Sequence, residues 1–214
     1  MQKEAKTLIA IGVAVVFIGF GVFLWYKQNS ALTHSEPVDG SKLIRTDSQI
    51  IGNKDAPNTL VEFGDYQCPA CAAAHPILKE MINGADKDKF RIVFRNYPLQ
   101  QHKNAYPSAQ AAEAAGKQGK FMEMHDKLYE SQTAWSELPD PKPQFIQFAK
   151  DLGLDEKKFE SDYSDSYLKE RIKLDTGDGN DLGVNSTPTF YLNGEKFEGW
   201  KFNTLKEELQ KKFK

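Results

Sequence analysis

The chain has 214 residues, of which 40% are hydrophobic and 27% charged, with 28 Lys and Arg against 30 Asp and Glu. That balance suits a globular protein with a sizeable core. A net charge of −2 without a basic stripe interleaved with aromatics argues against a nucleic-acid partner. The two cysteines, Cys68 and Cys71, are too few for a disulfide scaffold and too close together to staple distant parts of a fold.

Residues 8–26, LIAIGVAVVFIGFGVFLWY, carry no charge. At about 1.5 Å per residue, a helix of that length crosses roughly the 30 Å hydrocarbon core of a bilayer. Trp25 and Tyr26 close the run where an interfacial aromatic pair would sit, and Lys3 and Lys6 precede it. Residues 1–26 therefore read as an N-terminal membrane anchor. A cleaved signal peptide is the competing reading, although its apolar core is usually shorter and Asn29-Ser30-Ala31 is a poor cleavage site. The lysine excess before the span puts the N-terminus inside and the bulk of the chain on the extracytoplasmic side of a cell membrane. Residues 27–45 are polar and unpatterned, with Pro37 and Gly40, and read as a tether; residues 46–214 are left for one domain.

Within that domain, residues 59–64 (TLVEFG) read as a buried strand. Cys71 to about Asn83 reads as a helix ended by Asn83-Gly84, and residues 90–94 (FRIVF) as a second strand, so the cysteine pair sits inside a βαβ unit. The stretch from about 100 to 183 is helical in character, divided by Gly, Pro and Asp. Residues 189–192 and 195–198 then flank Asn193-Gly194, a strong signal for a type I′ hairpin. A last helix is expected from about Asn203, with Phe202, Leu205, Leu209 and Phe213 along one face. The order is βαβ, a helical insertion, then ββα.

Cys-x-x-Cys beside a βαβ pattern is a thioredoxin-like redox signature. On the first turn of a helix the first cysteine meets unpaired N–H groups and the positive end of the helix dipole, which stabilise a thiolate and lower the pKa of Cys68. Cys71 lies one turn on, within reach of a small disulfide ring. Of the intervening Pro69 and Ala70, the proline suits the first helical position because it has no N–H to leave unpaired. Two incidental thiols and half of a metal site are the alternatives. Zinc wants four ligands, and a second Cys-x-x-Cys is absent, so His34, His75, His102 or His125 would have to be recruited; no metal is expected.

Four more positions bear on the redox reading. Thr187-Pro188 opens the strand at 189, either as a cis turn or as an ordinary trans strand start. Glu62 is an acid within an apolar strand, either a buried proton acceptor for a cysteine or a solvated side chain. Pro76 should kink the helix after Cys71 or merely shorten its first turn.

FGDYQCPACAAAHP, FRIVFRNYPLQQH, AAEAAGKQGKFMEMHDKLYE and GVNSTPTFYLNG, in that order across residues 46–214, resemble the DsbA-like thiol–disulfide oxidoreductases of bacteria. The resemblance implies an α/β thioredoxin-like fold with a helical insertion. Cys68 then looks like the exposed nucleophile, Cys71 its partner, Thr187-Pro188 the cis-proline loop, Glu62 the buried acid and Pro76 the helix-kinking proline. His102 and His125 recur in similar sequences without a chemical role that the residues suggest. The implied activity is disulfide formation in reduced or unfolded exported proteins, with reoxidation by a quinone-linked membrane partner and no bound cofactor. A reductase or isomerase kept reduced by a thiol donor, or a non-catalytic binding or chaperone module, are the alternatives. Two departures stand out. Ala70 replaces the histidine that strongly oxidising members often carry, which implies a milder potential, and residues 111–115 hold no second cysteine pair.

Overall fold

The computed structural model describes residues 19–25 and 40–213. Residues 19–25 are helical, with Phe20, Phe23 and Trp25 exposed; the rest of the expected span over 8–26 lies outside the described residues. No described helix is long and apolar enough to cross a membrane.

The domain is a five-stranded mixed sheet with helices against it. Its elements in chain order are α1 (Gly40–Leu43), β1 (Gln49–Gly52), β2 (Asn58–Gly64), α2 (Pro69–Asn83), β3 (Phe90–Asn96), α3 (Ala105–Gly116), α4 (Phe121–Glu130), α5 (Gln132–Trp135), α6 (Lys142–Asp151), α7 (Glu156–Tyr163), α8 (Ser166–Asp181), β4 (Thr189–Leu192), β5 (Glu195–Phe197) and α9 (Leu205–Gln210). The sheet order is β1-β3-β2-β4-β5. Strand β2 is parallel to β3, with Glu62 opposite Phe94, and antiparallel to β4, with Glu62 opposite Phe190. This is the expected βαβ–helices–ββα order with one added edge strand. Strand β1 escaped the sequence reading because it has only four residues, QIIG, of which one is buried.

Alternation along the strands divides the core. Leu60, Phe90, Ile92 and Phe94 pack with α2 and the helical insertion, whereas Val61, Phe63, Val93 and Tyr191 pack on the other face with Leu43, Tyr97 and Val184. Glu62, two residues from Leu60, therefore faces α2. The alanines of α3 (Ala105, Ala109, Ala111, Ala112, Ala114 and Ala115) are all buried, and their small side chains let neighbouring helices close on that helix from several sides.

Three boundaries differ from expectation. Residues 40–45 lie within the expected tether, yet Leu43 is 2% exposed and the Lys42 and Leu43 carbonyls accept from Arg95, so this end of the tether belongs to the folded body. The last helix starts at Leu205 rather than near Asn203. Thr204 occupies its N-cap, Leu205 and Leu209 are buried, Phe202 is exposed, and Phe213 stacks on Phe90. Helix α2 begins at Pro69, two residues earlier than read, and continues through Pro76 to Asn83. The hairpin is as expected: Asn193 and Gly194 have φ of 53° and 91°, the left-handed pair that a type I′ turn requires.

Candidate active site

Cys68 is the N-cap residue of α2, with extended backbone (φ −72°, ψ 121°), and Pro69 supplies the first helical position. The cap places the Cys68 sulfur over the open amide groups of the first turn. Its Sγ lies 3.4 Å from the Thr187 carbonyl oxygen, and the Thr187–Pro188 peptide is cis. The loop between α8 and β4, 119 residues away in sequence, is thereby brought onto the sulfur. Both cysteines are free thiols in this structure.

The two sulfurs are chemically unequal. The Cys68 thiol is lowered to about 5, because the Cys71 thiol hydrogen-bonds its sulfur and because Thr187 and the amides of Cys71 and Ala70 add to that, against the opposing effect of burial. Burial pushes the Cys71 thiol well up, and the hydrogen bond to Cys68 holds its proton further. Cys68 is 7% exposed and Cys71 0%, so only the first sulfur offers an edge to solvent.

Glu62 is 3% exposed, and its carboxyl is pushed up to about 8 by burial first and by the Cys68 charge second. The solvated reading of Glu62 is thereby excluded. A β-carbon on Gly64 would stand 2.5 Å from the Phe94 ring and 3.2 Å from a Glu62 oxygen, so glycine there lets the strand end close over the acid.

The loop leading to Cys68 is held by residues the sequence did not single out. The buried Asp65 carboxylate accepts from the amides of Gln67 and Leu99 and meets His102 Nδ1 at 2.7 Å. That gives His102 a structural place, in fixing the loop that carries Cys68. Gln132 at the start of α5 donates to the carbonyls of Tyr66 and Cys68, and Gln67 is tied to Asn104 and Ser136. The adjacent GDYQC hinted at Asp65 and Gln67, but nothing local pointed to Gln132, 64 residues beyond Cys68.

The described histidines do not gather at the cysteines. His75 and His125 meet each other, with ring centroids 5.2 Å apart, in the core beside Tyr66 and Tyr129, while His34 lies outside the described residues. Burial lowers the pKa of both His75 and His125. Among the described residues, no group of three metal-ligating side chains includes a cysteine. The arrangement of Cys68, Cys71, Thr187, Pro188 and Glu62 is suited to thiol–disulfide exchange: a stabilised outer thiolate, a buried partner thiol, a neighbouring backbone strand and a buried acid.

A family model described as Thioredoxin matches residues 45–211. The Na(+)/H(+) antiporter NhaA 1 of Mycobacterium sp. (strain KMS) is 34% identical over 221 residues, covering 98% of this chain and 34% of that protein. This chain thus spans about a third of the length of such curated relatives. The probable disulfide bond formation protein D of Bacillus anthracis is 28% identical over 224 residues and covers 100% of both chains. Oxidised BdbD from Bacillus subtilis superposes with a TM-score of 0.65 at 24% identity, over 77% of this chain and 91% of that one. The thiol-disulfide exchange protein alpha-DsbA2 from Wolbachia pipientis gives 0.68 at 21% identity, over 80% and 90%. At those identities the structures speak for the fold.

Proposed function

The chain belongs to the thioredoxin family, and on that premise we propose that it is a DsbA-like thiol–disulfide oxidoreductase that forms disulfides in exported proteins. The observation that carries this reading is the asymmetry of the pair: Cys68 is lowered to about 5 at a helix N-terminus, 3.4 Å from Thr187 O, while Cys71 is buried and raised.

In the oxidising direction, a substrate thiolate attacks Cys68 Sγ of the Cys68–Cys71 disulfide. The Cys71 sulfur leaves and takes up a proton, and a mixed disulfide remains on Cys68. A second substrate thiolate then attacks the substrate sulfur of that bond and expels the Cys68 thiolate, a good leaving group because its pKa is low. The substrate has lost two electrons, and the pair is reduced. Glu62 is the buried group placed to exchange the Cys71 proton. The backbone beside Pro188 is the strand against which a substrate peptide would lie. Ala70 contributes no imidazole to the thiolate; the Cys71 thiol, the Thr187 side chain and backbone amides lower Cys68 to about 5.

The same reading puts an uncleaved helix over residues 8–26 in the cell membrane, the domain on its extracytoplasmic side, and a quinone-linked membrane protein as the reoxidant. The uncharged run, Trp25 and Tyr26 at its end, and the lysines before it support this. The antiporter name belongs to relatives about three times as long, and no ion transport is assigned to this chain.

The test is oxidation of a reduced, unfolded protein by the purified chain, with its potential measured against glutathione. The expected potential lies well above the roughly −270 mV of thioredoxin, and Cys68→Ser should abolish turnover. A potential at or below thioredoxin's, with the pair mainly reduced in cells, would favour the reductase alternative and overturn the oxidase.

A further inference from the structure

One turn beyond Cys71 on α2, where that helix meets α4, lies a group of side chains that the redox reaction leaves unused. His75 stands four residues after Cys71 on α2, one helical turn deeper. His125 and Asp126 are neighbours on α4. The ligand atoms of these three all lie within 4.8 Å of one another. We propose that His75, His125 and Asp126 form a binding site for one divalent transition-metal ion of the zinc class, built into the junction of α2 and α4.

The donor set is right for such an ion. Two imidazoles and a carboxylate form a recurrent three-ligand group for zinc, with a fourth position left to water or another oxygen. His75 is 6% exposed, and its Nε2 has no hydrogen-bond partner, although Asp126 Oδ1 is only 3.4 Å away. A buried imidazole nitrogen facing a carboxylate without bonding it is an orphan that a cation between the two would satisfy. His125 is 5% exposed, and its Nδ1 lies 3.1 Å from the Tyr66 hydroxyl. With the ring proton on Nδ1 and donated to Tyr66, Nε2 is left with its lone pair free, which is the outer-shell arrangement that orients metal-binding histidines.

There is also room and access. A cavity of about 10 Å³ is walled by Glu62, His75, Lys79, His125 and Asp126 together with apolar side chains, a volume suited to a single small occupant. His75 and Lys79 also border a surface groove of about 480 Å³ beside Pro76 and Tyr129, which supplies the route in. Lys79 bonds Asp126 through Oδ2, at 2.8 Å, and Glu130 at 2.6 Å, which leaves Oδ1 directed at His75. Donors around a tetrahedral zinc with bonds of about 2.0–2.1 Å sit about 3.3 Å apart. Binding therefore needs the three groups to close by about 1.5 Å at most, a side-chain adjustment.

The experiment uses the full chain in detergent, fully oxidised so that Cys68 and Cys71 are tied up as a disulfide and cannot compete as ligands. Zn²⁺ is titrated by equilibrium dialysis and Co²⁺ by its visible absorption. The expected result is one ion per chain, with the absorption of a four- or five-coordinate nitrogen–oxygen site. His125→Gln and Asp126→Asn should each weaken binding at least tenfold, and Tyr66→Phe by about 10–100-fold. Asp126 is partly exposed, so its variant keeps the test alive if the core histidine variant fails to fold. Absence of stoichiometric binding to the oxidised chain would overturn the site, as would binding that Asp126→Asn leaves unchanged or that needs reduced cysteines.

Discussion

Cys68 concentrates the chemistry because three local facts act on one atom: the N-cap position, the Cys71 thiol and the Thr187 side chain all converge on its sulfur. The largest contribution comes from the Cys71 thiol, so the thiolate is a property of the pair. Alkylation of the reduced protein followed against pH should show a midpoint near 5 for Cys68, with Cys71 unreactive. Cys71→Ala should move that midpoint upward, and an unchanged midpoint would assign the effect to the helix alone. At pH 7, the interval from about 5 favours the dithiol form by about 2.7 kcal/mol, or about 60 mV for a two-electron couple. Glu62 acts in the opposite sense. Its folded value of about 8 lies above its ordinary 4.5. Between those values the native state keeps a proton that the unfolded chain has released, and stability falls as pH rises. Glu62→Gln removes that cost. Urea unfolding of the reduced protein should show the variant more stable by about 1–3 kcal/mol at pH 7.5 and no more stable near pH 4. Equal gains at both pH values would mean that the carboxyl titrates normally.

At the level of elements, helix α8 carries two glycines with opposite roles. Gly177 is exposed, and a β-carbon there would meet nothing within 4 Å. Gly179 is buried, and a β-carbon there would stand 2.7 Å from the Tyr97 ring and 3.1 Å from Phe63. Gly177→Ala should therefore stabilise by up to about 1 kcal/mol through helix propensity, whereas Gly179→Ala should destabilise by about 1–3 kcal/mol through overpacking. Thermal unfolding of the two variants checks this, and a loss at Gly177 or a gain at Gly179 would contradict the packing of α8 on the sheet. The same pair shows what a sequence can convey. TGDGN is open to helix or loop, because its helical state is imposed by the sheet beneath. Strands β2 and β3 and the hairpin turn were legible because alternation and Asn-Gly are local signals. The cysteine pair and Pro188 were legible as a motif. Gln132, His102 and the meeting of His75 with His125 were not, since each depends on a partner brought close only by the insertion folding over α2.

The domain as a whole is tied together by buried charge centred on β3 and α8. Arg95 in β3 is 0% exposed; it bonds Asp175 and Asp178 of α8 and donates to the carbonyls of Lys42 and Leu43. Arg45 doubles the contact to Asp178, and Arg171 of α8 pairs with Glu113 of α3 and reaches the Asp47 carbonyl. One network thus joins the segment after the tether, the central sheet and the helical insertion, and none of it touches Cys68. A buried pair adds little over an apolar replacement of both partners, but removing one partner strands the other charge. Arg95→Met leaves Asp175, which is 1% exposed, without its guanidinium, and should cost about 3–5 kcal/mol. Because Arg95 faces across the sheet from the cysteines, the folded fraction of Arg95→Met should keep the wild-type potential and the Cys68 alkylation midpoint. Urea unfolding and alkylation on the same preparation separate the two effects. A shifted midpoint in the folded variant would show that the charge network also sets the active-site loop, and the division of labour between the two faces would fall.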